Sequence, residues 1–118
     1  DYRNIEVTID EQGVFKVTMN ESLAVALLTN LLKNAFVHNI DGGHIRITVT
    51  KNGITFRNSG VEHPLNKEHI FERFYQGSKK EGSTGLGLAI ADSICRLQHL
   101  NIKYYFEQNE HCFEISQS

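Results

Sequence analysis

Three glycines placed directly before a helix pattern constrain this chain more than any other feature of its sequence. Gly82, Gly85 and Gly87 lie in the segment EGSTGLGLAI, after which apolar residues recur at helix spacing at Leu86, Ile90, Ile94 and Leu97. Glycine costs about 0.5–1 kcal/mol inside regular structure. The segment therefore predicts either a glycine-rich hinge before a core helix or a backbone that comes very close to a ligand.

The ligand expected at this helix start is a phosphate. The first N–H groups of a helix have no partners within the helix, and the helix dipole favours an anion there. Ser83 and Thr84 can cap the helix or donate hydroxyl hydrogen bonds, and Gly85 and Gly87 have no Cβ to hold a phosphate off. The segment does not end in G-K-[ST], which excludes a Walker A loop, and it follows no strand pattern, which excludes a Rossmann turn.

Length and charge indicate one domain and exclude several classes of partner. The 118 residues are close to the commonest size of a single domain, and the net charge of −2 predicts no nucleic-acid partner and no membrane contact. Cys95 and Cys112 lack C-x-x-C spacing and are expected to be buried thiols of a reducing compartment, with a disulfide as the alternative. Because the chain starts inside a strand pattern, we expect residues 1–118 to be one domain of a longer protein.

The remaining patterns predict an α+β fold, a mostly antiparallel sheet with helices on one face. Apolar and polar residues alternate in six expected strands, at residues 5–9, 15–19, 45–49, 54–56, 102–106 and 113–115. Residues 22–37 carry apolar residues at helix spacing, and Asn20 precedes them as an N-cap. Between residues 58 and 84 the pattern weakens, apart from a short amphipathic piece at 66–75, which predicts a functional or mobile connection.

A polar stripe on the first helix is the second candidate for chemistry. Asn30, Asn34 and His38 are four residues apart, so they share one helix face. Asparagine is a mediocre helix former, and its side-chain oxygen is a neutral ligand that suits Mg²⁺ bridging to phosphates. The alternative is a stripe of solvated surface residues.

Two further stretches carry candidate binding residues. In ITFRNSG, strand alternation points Asn58 to the core, where its side chain needs a purine amine or a buried water, and Gly60 lets the chain turn over a flat ring. An ordinary strand end with a turn is the alternative. In IFERFYQG, Phe71 and Phe74 belong to a small apolar face with Arg73 beside it. Its alternative is a short helix that fills a gap in the core.

Taken together and in this order, the four stretches resemble the ATP-binding catalytic domain of sensor histidine kinases, within the gyrase, Hsp90, histidine kinase and MutL ATPase superfamily. NLLKNA looks like the N box of that family, and NSG lies where its first glycine box is expected. IFERFYQGS looks like its F box, and GSTGLGLAI is similar to its second glycine box. The resemblance covers nearly the whole chain. It implies a two-layer α/β sandwich (a Bergerat-type fold), in which a mixed sheet lies under about three helices and a flexible lid covers the nucleotide.

The resemblance also implies roles for individual residues. Asn34 matches the asparagine that binds Mg²⁺, with Asn30 one turn earlier and His38 near the phosphates or ribose. The implied nucleotide contacts are Asn58, Gly60, Phe71, Phe74, Thr84, Gly85, Leu86, Gly87 and Leu88. Arg73, Lys79 or Lys80 is expected to steady the γ-phosphate, so Asn34 and Arg73 are the candidate catalytic residues.

One departure from the family bears on nucleotide binding. The usual first glycine box is D-x-G-x-G, whose aspartate accepts a hydrogen bond from the adenine amine. This chain has Asn58 in place of that aspartate and Glu62 in place of the second glycine. Asparagine can still accept through its oxygen, with less charge assistance.

The implied activity is transfer of the γ-phosphate of Mg-ATP to a histidine on a separate dimerisation domain of the same parent protein, and indirectly to a response regulator. The implied location is the cytoplasmic part of a membrane-anchored bacterial sensor. None of the six histidines has the acidic residue and nearby proline that follow the family's phosphoacceptor. Two alternatives stay open. One is a degenerate ATP-binding regulatory module without phosphotransfer, and the other is an ATPase clamp, which the short chain and the F box oppose.

Overall fold

The chain forms one mixed five-stranded sheet with helices packed on one face. The structure, a computed structural model, describes residues 4–73 and 86–117. In chain order its elements are β1 (Glu6–Glu11), α1 (Glu21–Val37), β2 (His44–Thr50), β3 (Gly53–Asn58), α2 (Gly87–Leu97), β4 (Leu100–Glu107) and β5 (Glu110–Gln117). This is the predicted α+β fold.

The strand order is β1-β2-β3-β5-β4. β1 pairs with β2 in parallel, so the chain must cross back over the sheet between them, and α1 makes that crossing. The other three pairings are antiparallel. The sheet is therefore mixed and mostly antiparallel, as predicted.

Helix α1 begins one residue before the predicted start and is capped as expected. Asn20 has extended backbone angles, and its Oδ1 accepts a hydrogen bond from the Leu23 N–H at 3.1 Å. The helix buries Leu27, Leu31 and Ala35 against the sheet. Their spacing places them on one face, which leaves the neighbouring face of α1 to the polar residues.

The core lies between the helices and one face of the sheet. On that inner face the strand register sets Phe56 opposite Phe113, and Phe113 opposite Tyr104. Helix α2 adds Ala91 and Ile94 to the same cluster. Beyond this core lies one end of the central strands, where Asn58 of β3 pairs with Ile45 of β2 and with His111 of β5.

The predicted strand at residues 15–19 is wrong. Residues 13–19 belong to no strand, although their burial alternates as a strand would. Phe15, Val17 and Met19 pack on the core while this extended stretch carries the chain from the end of β1 to the start of α1. Alternation reports that one side of a segment is buried, and here a crossing segment produced that signal without pairing.

The described part of the chain holds two helices, where about three were expected. Residues 66–73 form turns, with the N–H groups of His69 and Ile70 both bonded to the Asn66 carbonyl at 3.1 and 3.0 Å. Ile70 is nevertheless buried, as its place in the predicted amphipathic piece required. Residues 74–85, which include the rest of that piece and the last part of the predicted connection at 58–84, lie outside the described residues.

Both cysteines are free and buried, which confirms the predicted thiols. Burial, with a smaller contribution from Asp92, raises the pKa of the Cys95 thiol to about 11. Burial also raises the pKa of Cys112. Since the thiolate is the reactive form, neither side chain is a candidate nucleophile. Separately, no helix within residues 4–73 and 86–117 has the length and hydropathy to cross a bilayer.

Candidate functional site

The polar stripe of α1, formed by Asn30, Asn34 and His38, runs along the site. All three residues are half-buried. Eight residues separate its ends, which corresponds to about 12 Å along a helix axis. Each end of the stripe meets a different glycine-bearing segment, so the stripe connects the two.

At the first end, Asn30 meets the start of α2. Its Nδ2 donates to the Ala26 carbonyl at 2.8 Å, which turns its Oδ1 toward Gly87. A Cβ on Gly87 would lie 3.3 Å from that oxygen. One reason for a glycine at this position is therefore the close approach of the Asn30 side chain on the other helix. The approach of a ligand, which the sequence predicts, stays a second expected reason.

The start of α2 has the character of an anion site. Leu86 occupies the N-cap position in a helical conformation and offers no side-chain hydrogen bond, and the first turn contains no acidic residue. The positive end of the helix dipole is therefore not offset by a carboxylate of its own first turn. Leu86, Gly87 and Leu88 are half-buried, and Leu88 also packs against the core.

At the second end, His38 meets the turn that follows β3. His38 is the C-cap of α1, and a Cβ on Gly60 would lie 2.8 Å from its carbonyl oxygen. Only glycine fits so close to that backbone. The turn after β3 is thus held against the end of the polar stripe, next to Asn58.

Asn58 is buried with an acceptor that lacks a partner. Its relative exposure is 2%, as the inward alternation of β3 predicted. Its Nδ2 donates to the Ser59 carbonyl at 2.8 Å, while its Oδ1 is the one buried side-chain polar atom without a hydrogen bond in the described part of the chain. An unsatisfied buried acceptor costs about 1–3 kcal/mol, so a donor is expected to complete it.

A polar network that the sequence did not reveal fixes this end of the site. The Ser59 hydroxyl donates to the Asn39 Oδ1 at 2.5 Å and accepts from the His44 N–H at 2.9 Å. The Asn39 Nδ2 donates to the carbonyls of Ala35 and His44 at 3.1 and 3.0 Å. These bonds tie the end of α1 to β2 and β3, so that Asn58 keeps its position relative to the polar stripe.

The departure at Glu62 has a structural explanation. Glu62 is exposed, and its Oε2 accepts a hydrogen bond from the Asn109 Nδ2 at 3.0 Å. Asn109 lies in the turn between β4 and β5 with φ +62°. The side chain that replaces the family's glycine therefore points to this turn instead of filling the space beside Asn58.

The two apolar F-box residues that the structure describes, Ile70 and Phe71, are in or beside the core. Phe71 is half-buried, and its ring meets that of Phe113 edge to face at 6.3 Å between centroids. Arg73 is exposed. Phe74, Lys79, Lys80, Thr84 and Gly85 lie outside the described residues.

A cavity of about 680 Å³ lies beside the edge strand β4, and of the predicted site residues Phe71 alone lines it. The other lining residues are Lys67, Lys103, Tyr104, Tyr105, Glu107 and Glu114. The opening therefore belongs to the far edge of the sheet and not to the space beside the polar stripe.

Glu110, on the other face of the sheet, is paired with His44 and Arg46. Glu110 is buried and accepts hydrogen bonds from His44 at 2.6 Å and from Arg46 at 2.8 Å. Burial acts to raise the pKa of Glu110, but the bonds from Arg46 and His44 outweigh it and lower the pKa overall.

Within residues 4–73 and 86–117, no three His, Cys, Asp or Glu side chains converge as a metal site. Beside the polar stripe, the side-chain oxygens of Asn30 and Asn34 are of the type that suits Mg²⁺.

Sequence reasoning missed Asn39, Ser59 and His111, which link the end of β3 to α1, β2 and β5. One signal was available. His111 lies two residues before Phe113 and continues the alternation of Phe113 and Ile115, which points it inward, whereas Ser59 beside an inward Asn58 was expected to point outward. Asn39 gave no such signal, because it looked like an ordinary turn residue after the helix.

Comparison with known proteins agrees with this geometry. Residues 19–116 match the family model described as histidine kinase-, DNA gyrase B-, and HSP90-like ATPase. The sensor histidine kinase RppB of Synechocystis sp. is 44% identical over 84 residues, covering 64% of this chain and 18% of that protein. The heme sensor protein HssS of Staphylococcus aureus is 40% identical over 90 residues, covering 72% of this chain and 20% of that protein. The chain thus spans about a fifth of the length of these relatives.

Solved structures give the same result. The nucleotide-free catalytic domain of histidine kinase ThkA superposes with a TM-score of 0.84 at 26% identity, covering 97% of this chain and 78% of that chain. ThkA in complex with the response regulator protein TrrA superposes with a TM-score of 0.74 at 25% identity, covering 99% of this chain and 35% of that chain.

Proposed function

Because this chain belongs to the histidine kinase-, DNA gyrase B- and HSP90-like ATPase family, we propose that it binds Mg-ATP along the polar stripe of α1 and donates the γ-phosphate to a histidine. That histidine belongs to a separate dimerisation domain of the same parent protein, a bacterial two-component sensor anchored in the membrane with this domain on the cytoplasmic side. The observation that carries the nucleotide-binding part is the unpaired acceptor of Asn58 at one end of the stripe, with the start of α2 at the other.

The acceptor of Asn58 supports adenine as the base. Its Nδ2 is committed to the Ser59 carbonyl, so the amide cannot rotate without losing that bond and Oδ1 remains an acceptor. The exocyclic amine of adenine is a donor and completes it. Guanine carries a carbonyl at the same ring position, so two acceptors would face each other without a proton between them.

The far end of the stripe supports the phosphates and the metal. The N–H groups at the start of α2 favour an anion, and they lie beside Asn30. Asn34 lies between this end and the base end, and its amide oxygen suits a Mg²⁺ ion that also takes phosphate oxygens. The bound metal would supply charge neutralisation, while this chain's own residues bind and orient the nucleotide. Arg73, exposed beside the undescribed segment, stays a candidate for contact with the γ-phosphate.

The transfer step is supported by the family and by the identities of the relatives. RppB is a sensor histidine kinase, and ThkA is a histidine kinase solved with a response regulator. The chain's own histidines lack the sequence context of a phosphoacceptor. We therefore expect this chain to bind ATP without labelling itself and to phosphorylate a histidine-bearing helical domain added in trans.

A degenerate module that binds ATP without transfer is the second candidate, and the substitutions Asn58 and Glu62 favour it. The orientation of Glu62 toward Asn109 weakens that case, because the side chain leaves the base end open. Failure of transfer in trans, with ATP binding intact, would select the degenerate module.

Thermal unfolding of the 118-residue chain with and without nucleotide tests the proposed binding. A ligand at about one hundred times its Kd stabilises by roughly 2.7 kcal/mol, which corresponds to a rise of several degrees in Tm for a domain of about this size. We expect Mg-ATP to raise Tm and Mg-GTP to do so much less. Asn58→Ala should lose most of the ATP shift.

Asn101→Ala is the matched control, since Asn101 is an exposed asparagine at the opposite end of the sheet, where it pairs with Ser116. It should keep the full ATP shift. Equal shifts for ATP and GTP, or an undiminished shift in Asn58→Ala, would rule out the base contact. No shift with either nucleotide would rule out the proposed function.

A further inference from the structure

A buried histidine links the segment that follows Gly60 to the β4–β5 hairpin. His111 in β5 is 4% exposed, and both its ring nitrogens have partners. Its Nε2 lies 2.7 Å from the Val61 carbonyl, and its Nδ1 lies 2.8 Å from the Tyr104 hydroxyl. That hydroxyl in turn accepts the Leu65 N–H at 2.9 Å.

The donors and acceptors of this chain of bonds have one consistent assignment. A carbonyl can only accept, so the Nε2 of His111 carries the proton. Nδ1 of the neutral ring is then an acceptor, and it receives the Tyr104 O–H. The Tyr104 oxygen remains free to accept from Leu65. The ring therefore acts as one donor and one acceptor, and a side chain without that pair cannot replace it.

The same histidine is a direct neighbour of the base end of the site. In the antiparallel register of β3 and β5, Asn58 and His111 are Cα partners and point to the same face. A Cβ on Gly60 would lie 3.2 Å from the Cδ2 of His111. The bond from Asn109 to Glu62 ties the same segment to the hairpin a third time.

We propose that His111, acting with Tyr104, is a positioning residue that fixes segment 61–65 on the β4–β5 hairpin and thereby keeps the Oδ1 of Asn58 open to the base of the nucleotide. The proposal rests on the proposed function. Loss of the bond to Val61 or of the bond to Leu65 frees segment 61–65 beside Asn58. The nucleotide must then order the segment when it binds. Affinity then falls by the population of the ordered state.

Protonation of the ring acts against the same arrangement. Burial keeps the pKa of His111 below its ordinary value, and the nearby His63 acts in the same direction. The groups that face the ring are Tyr104 and Phe106 from β4, Asn58 from β3 and His63 from the segment itself. A second ring proton would oppose the proton of the Tyr104 hydroxyl, so ATP affinity is expected to fall at acidic pH.

The test compares three single variants and one double variant of the 118-residue chain by isothermal titration with Mg-ATP and by amide hydrogen exchange without nucleotide. Tyr104→Phe removes the hydroxyl while keeping the ring, and His111→Leu removes both ring nitrogens. Tyr105→Phe is the matched control, because its hydroxyl bonds Glu114 on the other face of the same strand. We expect each of the first two variants to raise Kd about fivefold or more and to speed exchange of the Leu65 amide.

The double variant should bind about as weakly as the weaker single variant, because both changes break one chain of bonds. Tyr105→Phe should match the parent in both measurements. If the parent does not bind ATP, the proposed function fails. If the parent binds and all three variants bind alike with unchanged Leu65 exchange, the positioning role fails while the proposed function stands. Faster exchange with unchanged Kd also overturns the role.

Discussion

Gly60 shows how tightly single residues are fitted around the end of β3 that carries Asn58. A Cβ on Gly60 would lie 2.8 Å from the His38 carbonyl oxygen at the end of α1 and 3.2 Å from the Cδ2 of His111 on β5. Asn58, two residues earlier, is buried with an unpaired oxygen. At this scale, a glycine with no room for a side chain and an amide with one unsatisfied atom define the position that we assign to the base.

Gly60→Ala is expected to lower the free energy of unfolding by about 1–3 kcal/mol, because the added methyl must displace backbone rather than a flexible side chain. Urea unfolding of the nucleotide-free chain measures it. Gly42→Asn is the control. Gly42 has φ +75° but open space around it, and asparagine tolerates that conformation. The control should stay close to the parent, and an equally small effect of Gly60→Ala would contradict the packing described here.

At the scale of elements, the site depends on where α1 begins and ends. Its polar stripe meets α2 at Asn30 and the turn after β3 at His38. The eight residues from Asn30 to His38 therefore set the distance between the two ends of the stripe. The N-cap at Asn20 fixes where α1 starts, and the bonds of Asn39 fix where the chain leaves it.

Asn20→Ala should reduce stability by about 1 kcal/mol, since it leaves the Leu23 N–H at the start of α1 without its acceptor. Asn20→Ser keeps an acceptor at the same position and should recover most of the loss. Chemical unfolding curves for the three proteins provide the comparison. A serine variant as unstable as the alanine variant would show that the side chain of Asn20 does something other than cap the helix.

At the scale of the whole molecule, buried ionisable groups make stability depend on pH. The pKa of His111 is lower in the folded chain, chiefly because of burial, so below its ordinary value of about 6.5 the unfolded chain binds more protons than the folded one. Stability is therefore expected to fall as the pH drops from about 6.5. Glu110 has a lowered pKa, so its contribution is lost only at more acidic pH, as the carboxylate is protonated.

His111→Gln removes the titrating group, so its Tm should change less than that of the parent between about pH 6.5 and 5. His63→Gln is the matched control, because His63 is an exposed histidine on the segment beside His111. Its slope should stay closer to that of the parent than the slope of His111→Gln does, because burial lowers the pKa of His111 more than His63 does. Parallel Tm curves for the parent and His111→Gln would show that another group causes the acid sensitivity.

Much of the fold followed from the sequence because its signals are local. Helix α1, the β2–β3 hairpin around Asn52-Gly53 and the β4–β5 hairpin all follow from apolar periodicity and turn residues. The expected strand at 15–19 failed because alternating burial does not reveal whether a strand partner is present. Residues 66–73 of the expected amphipathic piece form turns instead of a helix, because Ile70 and Phe71 can also be packed on the core from a series of turns.

The sequence by itself determined the family and its motifs, since Asn34, Asn58 and Gly87 belong to local patterns whose order along the chain is informative. Only the tertiary structure decided which atoms meet. It placed Asn30 beside Gly87, turned Glu62 toward Asn109, and left the oxygen of Asn58 unpaired next to His111. Periodicity fixes the face on which a side chain lies. The register between β3 and β5 and the packing of α1 on α2, however, join residues that are about 50 positions apart in the chain. No local sequence pattern specifies that register or that packing.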